Sequence, residues 1–211
     1  MGVYMHIVEG YLPLEQCIFW FILSGIIVVY GIFQLKDFIR KNPEYKAALT
    51  ISGLLMLALS FLNFHSVKGS CSHPTGNAFG GVVFGPAITS VIATIVLILE
   101  SFFLAYGGLT TLGANIFSLG ICGPFAAALV FKGFRKVNLP DIFGVIAAVI
   151  FANIVTYFVT SAQLALAFDL NAFGAIFMIF FVTMLPLIVI DCIVTAIVWV
   201  LFNKLSSNSL P

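Results

Sequence analysis

Long apolar runs dominate the sequence and restrict it to one environment. The first run extends from Cys17 to Leu35 without a charged side chain, and similar runs recur along the chain. About 20 apolar residues in a helix cross the roughly 30 Å hydrocarbon layer of a bilayer. The chain is 62% hydrophobic and 8% charged, whereas soluble domains average about 45–50% and about 25%. The sequence therefore excludes a water-soluble globule and predicts an all-α, multi-pass protein of the cell membrane, with a single transmembrane domain over residues 1–211.

The basic residues predict the orientation in the membrane. Lys36, Arg40, Lys41 and Lys46 follow the first run, and no Lys or Arg precedes Lys36. The absence of an earlier basic residue argues against a cleaved signal peptide. By the positive-inside rule, the loop after the first run is cytoplasmic and the N-terminus lies outside. The net charge of +1 gives no reason to expect a nucleic acid as partner.

About seven transmembrane helices fit the length of the chain. The polar stretch 65–76 and the basic residues 132–136 are separated by a long apolar region with glycine and proline breaks. Three crossings of this region, two of them short, keep the basic residues cytoplasmic. The expected limits are helix 1 over 17–35, helix 2 over 47–64, breaks at 86–90 and 107–115, a sixth helix over 141–165, and a seventh over 171–204 that is interrupted at Pro186. The C-terminus is then cytoplasmic.

Three histidines are the strongest candidates for chemistry. If Met5 is the first residue of the mature chain, Met5 and His6 offer an amine, an amide nitrogen and an imidazole. These donors form fused five- and six-membered chelate rings around one divalent ion. His73 could complete a square of four nitrogens, a geometry that favours Ni²⁺, Cu²⁺ or low-spin Co²⁺ over Zn²⁺ or Mg²⁺. His65 is expected to be solvated or to cap a turn.

Four segments of the chain resemble the CbiM/NikM family. They are MHIVEGYLP at 5–13, GSCSHPTG at 69–76, GGLTTLGANIF at 107–117 and TYFVTSAQLALAF at 156–168. Members of this family are the substrate-capture components of energy-coupling-factor metal transporters. The resemblance implies seven helices, an outside N-terminus, an N-terminal loop over 5–16 that inserts toward the metal, and Met5, His6 and His73 as ligands. One difference is that the family motif opens the polypeptide, whereas Met1 to Tyr4 precede it here. We expect the mature chain to start at Met5; otherwise the coordination differs.

Several polar residues could support these ligands. A metal-bound imidazole usually donates its other N–H to a nearby acceptor. Polar residues on the sixth helix and in the Gly-rich break have two interpretations, hydrogen bonding between helices or orientation of the histidines. The candidates are Cys71, Ser72, Thr110, Asn115, Thr156 and Gln163. Cys71 is expected to pack rather than to bind metal. Glu100 and Asp191 lie in apolar runs and are assigned local structural roles, with ion coupling as the alternative.

The function predicted from these features is uptake of a metal ion that is cargo, with no catalytic cofactor. The chain has no G-x-x-x-x-G-K-[ST] motif for ATP and no H-E-x-x-H motif for hydrolysis, so an enzyme is not expected. The resemblance implies Co²⁺ uptake for cobalamin biosynthesis, with a transmembrane coupling subunit, two ATPase subunits and a small accessory membrane subunit as partners. Ala48 and Ser52 have the spacing of a helix-docking face. The alternatives are Ni²⁺ uptake and an ion-coupled secondary permease.

Overall fold

The computed structural model describes residues 6–62, 64–65 and 71–208, and most of them are helical. The first helix ends before Asn42, because a residue that precedes a proline, here Pro43, disfavours the helical conformation. The elements in chain order are α1 (Leu14–Lys41), a 3₁₀ turn (Pro43–Tyr45), α2 (Lys46–Ser60), β1 (Phe64–His65), β2 (Cys71–Ser72), α3 (Asn77–Phe84), α4 (Pro86–Phe103), α5 (Leu112–Asn115), a π-helix (Ile116–Cys122), α6 (Gly123–Lys136), α7 (Asp141–Ala167), a second 3₁₀ turn (Leu170–Ala172) and α8 (Phe173–Asn208).

Five helical segments of the described chain are long and apolar enough to cross a membrane. They are α1, α4, the continuous helix from α5 to α6, α7, and the segment that contains α8. Large apolar side chains cover their outer faces, for example Phe33, which is 63% exposed. The chain is therefore a multi-pass helical membrane protein. Helix α2 has 15 residues and α3 has eight, so both are shorter, and the seven spans and the outside N-terminus stay predictions.

The region between residues 60 and 86 differs from the expected limits. Helix α2 ends at Ser60 rather than at Phe64, and Phe64 belongs instead to β1, which pairs with β2 in antiparallel fashion. Helix α3 spans only about 12 Å at 1.5 Å per residue, which is less than half of the hydrocarbon layer. It stops at Gly85, whose φ of +82° favours glycine, and Pro86 starts α4. The chain before α3 therefore enters the bundle as an extended segment and ends in a half-helix.

The later helices follow the predicted limits more closely. Helix α7 covers Asp141–Ala167, and α8 continues through Pro186 without the expected interruption. A proline removes one backbone hydrogen bond, and a transmembrane helix tolerates this loss through local adjustment of its backbone. The buried cores of α4, the π-helix, α7 and α8 meet in one cluster around Tyr157 and Phe180.

A close contact between α1 and α5 positions the functional region. A Cβ atom on Gly113 would lie 2.5 Å from the backbone nitrogen of Phe21, so only glycine permits this approach. The hydroxyl of Ser24 donates a hydrogen bond of 2.7 Å to the carbonyl of Gly113. The contact brings Asn115, two residues later, close to the segment that precedes α1.

Candidate metal-binding site

Two histidines and one glutamate lie together inside the bundle. His6 comes from the loop before α1, His73 from the extended segment before α3, and Glu100 from the last turn of α4. They are 5%, 3% and 3% exposed, and one potential ligand atom from each lies within 4.8 Å of the others. Metal–nitrogen bonds are about 2.0–2.1 Å long, so ligands on opposite sides of one ion lie about 4 Å apart. Small side-chain rotations would therefore let the three groups face one ion.

The tautomer of His73 leaves one nitrogen available to a metal. Its Nδ1 lies 2.9 Å from the carbonyl oxygen of Pro74, and a carbonyl only accepts, so Nδ1–H is the donor. The Nε2 atom is buried and has no hydrogen-bond partner among the described residues. Burial, together with the neighbouring His6, lowers the pKa of His73 to about 4. His73 is therefore neutral near pH 7 and presents a free lone pair, as a metal ligand requires.

His6 is held through its other ring nitrogen. Its Nε2 lies 3.1 Å from Oε2 of Glu100, and the hydroxyl of Ser60 contacts Oε1 of the same carboxylate. A carboxylate that engages one nitrogen of an imidazole orients the ring and makes the opposite nitrogen a better ligand. The rings of His6 and His73 are stacked with centroids 5.1 Å apart, and Tyr106 stacks 5.5 Å from His73.

The residue after His6 is fixed by three hydrogen bonds. The N–H of Ile7 donates to Oδ1 of Asn115 over 2.8 Å, and Nδ2 of Asn115 donates to the carbonyl of Ile7 over 3.0 Å. The hydroxyl of Thr111 donates to the same carbonyl over 2.6 Å. Ile7 is 2% exposed, so these bonds satisfy backbone groups that water does not reach. They hold the neighbouring His6 beside His73.

A glycine pair lets the N-terminal loop lie against the segment before α5. A Cβ atom on Gly108 would stand 2.6 Å from the backbone nitrogen of Glu9, and Gly107 has a φ of +73°. The backbone N–H of Thr110 donates to Oε2 of Glu9 over 3.1 Å. Hydrogen bonds from Thr110 lower the pKa of the Glu9 carboxyl below its ordinary value. The carboxylate of Glu9 is therefore an anchor of the loop.

A small cavity adjoins the three side chains. Its volume is about 20 Å³, enough for one water molecule or one ion. Thr75 and Asn77 also line this cavity. Nδ2 of Asn77 donates a 2.7 Å hydrogen bond to the carbonyl of Leu119, which lies in the π-helix. Helices of this type often occur at functional sites.

The residues that were predicted to support the proposed ligands do not all lie in the same part of the structure. Met5 lies outside the described residues, as do the side chains of Cys71 and Ser72. Thr110 and Asn115 bind the N-terminal loop. Two candidates of α7 donate to the helix that carries Asn115: Thr156 to the carbonyl of Ser118 over 3.4 Å, and Gln163 to that of Ala114 over 3.1 Å. The structure brings His6 and His73 together, as the four-nitrogen hypothesis requires.

Ala48 and Ser52, the candidates for a docking face, are turned into the bundle. They are 9% and 0% exposed, and a Cβ atom on Gly80 would lie 3.1 Å from the hydroxyl of Ser52. This small-residue spacing lets α2 and α3 approach within the chain. It leaves no outer face at these two residues for a partner helix.

Glu100 and Tyr106 were not predicted at this site. From its sequence context Glu100 has a predicted local structural role, although a carboxylate in an apolar run is by default a functional candidate. That signal could have identified Glu100. No sequence pattern distinguishes Tyr106 from the other aromatic residues.

Comparisons with known proteins agree with a metal transporter. A family model described as the cobalt uptake substrate-specific transmembrane region, CbiM, matches residues 6–209. A candidate cobalt transport protein CbiM of Methanococcus voltae is 51% identical, over 95% of this chain and 92% of the relative. A protein of the same name in Methanocaldococcus jannaschii is 48% identical over 98% and 90%. The cobalt transport protein CbiM 2 of Pelobacter propionicus is 41% identical over 92% and 88%.

Two solved structures share the fold. A truncated transition metal transporter superposes with a TM-score of 0.80 at 18% identity, and the match covers 94% of this chain and 98% of that one. A second structure, described as a transition metal transporter, gives a TM-score of 0.73 at 19% identity, with coverages of 96% and 94%. At this identity the likeness concerns the arrangement of the helices.

Proposed function

The chain belongs to the CbiM family of cobalt uptake substrate-specific transmembrane proteins, and on that premise we propose that it is the substrate-capture subunit of an ATP-driven Co²⁺ importer. The importer is of the energy-coupling-factor type and supplies cobalt for cobalamin biosynthesis. The observation that carries the proposal is the buried cluster of His6, His73 and Glu100. Two imidazoles and a carboxylate that converge in the interior of a membrane protein are expensive to bury without a function.

The proposed ligands are four nitrogens. They are the amine of Met5, the backbone amide nitrogen of His6 after it has released its proton to solvent, Nδ1 of His6, and Nε2 of His73. The amide and Nδ1 of one histidine close a six-membered ring with the ion, so Nδ1 must be free. The contact between Nε2 of His6 and Glu100 supports this assignment because it engages the opposite nitrogen. The bond from Nδ1 of His73 to Pro74 likewise supports Nε2 as its ligand.

Glu100 supplies negative charge beside the ion. A divalent ion and an ionised carboxylate attract each other strongly where water is excluded. In this proposal Glu100 orients His6, and it is not one of the four nitrogen donors. The neutral His73 and the anionic Glu100 together let the site take a cation without leaving a large net charge in the bundle.

Release of the ion requires energy from other chains, since this sequence has no ATP-binding motif. We propose a transmembrane coupling subunit, two ATPase subunits and a small accessory membrane subunit as partners. ATP hydrolysis on the ATPases would reorient or open this subunit and expose the ion to the cytoplasm. Because Ala48 and Ser52 are buried, the coupling subunit would dock on another face.

Two experiments test the function. In the first, purified protein is loaded from an equimolar mixture of Co²⁺ and Ni²⁺, and the bound metals are quantified. Preferential Co²⁺ supports the cobalt importer, whereas preferential Ni²⁺ supports the nickel alternative.

His6→Ala and His73→Ala should each abolish tight binding while the protein stays folded. Mass spectrometry of the metal-loaded protein tests the start at Met5, and a chain that begins at Met1 contradicts the amine ligand.

The second experiment measures cobalt uptake in cells with and without the ATPase subunits. The capture subunit should give no uptake when they are absent. An ion-coupled secondary permease instead continues to transport without them and stops when a proton uncoupler is added. The observation that supports the permease alternative is the buried carboxylate of Asp191.

A further inference from the structure

Asp191 on α8 lies beside the segment that carries His73. It is 0% exposed. The backbone N–H of Thr75 donates to its Oδ2 and that of Gly76 to its Oδ1, each over 3.3 Å. The hydroxyl of Thr75 also lies 3.2 Å from Oδ2. The carboxylate thus binds the two residues directly before α3, where backbone N–H groups have no partner within the helix.

The carboxylate is itself held in place by both long helices at the end of the chain. Nδ2 of Asn153 on α7 donates to Oδ2 over 3.0 Å, and the hydroxyl of Thr195 on α8 donates to Oδ1 over 3.3 Å. The hydroxyl of Tyr157 donates in turn to Oδ1 of Asn153 over 3.0 Å. A buried carboxylate with this many donors has a defined orientation.

The bonds to Asp191 determine where His73 stands. Thr75 is two residues from His73, and the intervening Pro74 has a fixed φ and accepts the hydrogen bond from Nδ1 of His73. Gly76 adopts a φ of +62°, and a Cβ atom there would lie 2.9 Å from the side chain of Leu59. The segment is therefore short, stiff and enclosed, so a displacement at Thr75 moves the imidazole of His73.

We propose that Asp191 is a positioning residue for the metal ligand His73. Its carboxylate binds the start of α3 and thereby sets the place of Nε2 of His73 relative to His6. This inference rests on the proposed capture of Co²⁺. Because Asp191 belongs to α8, the geometry of the proposed metal site also depends on the position of α8.

The experiment compares Co²⁺ affinity and the ligand-field absorption of bound Co²⁺ in four proteins: the unchanged chain, Asp191→Asn, His73→Ala and the double variant. Asp191→Asn keeps the size of the side chain, but an NH₂ group replaces one of its two acceptor oxygens. We expect a loss of affinity of about tenfold or more and a shifted absorption band. In the His73→Ala background, the same change should alter the residual affinity less than about twofold, because His73 is no longer present to be misplaced.

Asp169→Asn is the matched control, since Asp169 is exposed and caps a turn before α8. It should leave affinity and absorption unchanged. If Asp191→Asn does not fold, Thr75→Val removes one contact to the carboxylate, and we expect a smaller loss that also disappears in the His73→Ala background. Equal losses in both backgrounds, or wild-type affinity in Asp191→Asn or in a folded Thr75→Val, would overturn the inference. Failure of the unchanged protein to bind Co²⁺ would instead overturn the proposed function.

Discussion

The side-chain amide of Asn115 binds both backbone groups of Ile7, accepting from its N–H over 2.8 Å and donating to its carbonyl over 3.0 Å. These two residues are 108 positions apart in sequence. The pairing joins the N-terminal loop to the helix that starts at Leu112, and it acts on the residue beside His6. The loop that carries the proposed ligand His6 is therefore held by the side-chain amide of Asn115.

Replacement of Asn115 by Leu should weaken metal binding. The change leaves the N–H of Ile7 unpaired, and an unsatisfied buried donor costs about 1–3 kcal/mol. We expect a Kd for Co²⁺ that is about tenfold higher or more, measured by titration calorimetry in detergent. Asn203→Leu, at an exposed position near the C-terminal end of α8, is the control. Unchanged affinity in Asn115→Leu would show that the loop does not need this pairing.

Replacement of Gly108 by Ala should displace the N-terminal loop. The added Cβ atom would stand 2.6 Å from backbone atoms of Glu9, so the loop must move away from the segment before α5. We expect a loss of Co²⁺ affinity of at least about fivefold, because His6 precedes Glu9 by only three residues. Gly133→Ala, where nothing lies within 4 Å of the new atom, should bind like the unchanged protein. Equal binding by both variants would argue that the loop can adapt.

Replacement of Glu100 by Gln should reduce affinity without unfolding the bundle. The amide nearly preserves the size of the side chain, but it removes the negative charge that faces His6. Loss of a partner that orients a ligand typically costs about 10–100-fold in metal affinity, and we expect a value in this range. Glu44→Gln changes an exposed carboxylate and serves as control. Affinity within about twofold of the unchanged protein would remove Glu100 from the site.

The thermal stability of the metal-free protein should depend on His73 between about pH 6.5 and about pH 4. The pKa of His73 falls from its ordinary 6.5 to about 4 in the folded chain. Between these values the unfolded chain binds more protons, so stability is lost as the pH falls through the window and is complete above it. His73→Gln should flatten this part of the melting-temperature profile. Glu9, whose pKa is lowered from 4.5, stabilises the folded chain above that pH, and this stabilisation is lost only as the pH falls below 4.5. An equally steep profile in His73→Gln would contradict the assignment.

The amino-acid sequence was sufficient to predict the membrane environment of the chain and its two principal candidate ligands. Apolar runs of membrane-spanning length are a local property, because each helix satisfies its own backbone in lipid. The limits of α7 therefore lie within two residues of the expected 141–165. His6 and His73 were identified because histidine is rare in this chain and both residues lie in distinctive motifs.

Which distant residues surround these candidate ligands depends on how the helices pack against one another. Glu100 and Asp191 reach the site through the packing of α4 and α8, and Asn115, a candidate from the sequence, meets its partner Ile7 through the packing of α5. No periodicity in the sequence encodes contacts across about 100 residues. A short helix before the break at 86–90 was expected from the sequence and is α3, but the hydrogen bonds from the backbone N–H groups of Thr75 and Gly76 to Asp191, which hold its start, arise from packing inside the bundle. The candidate ligands follow from local chemistry, whereas the groups that orient them follow from packing between helices.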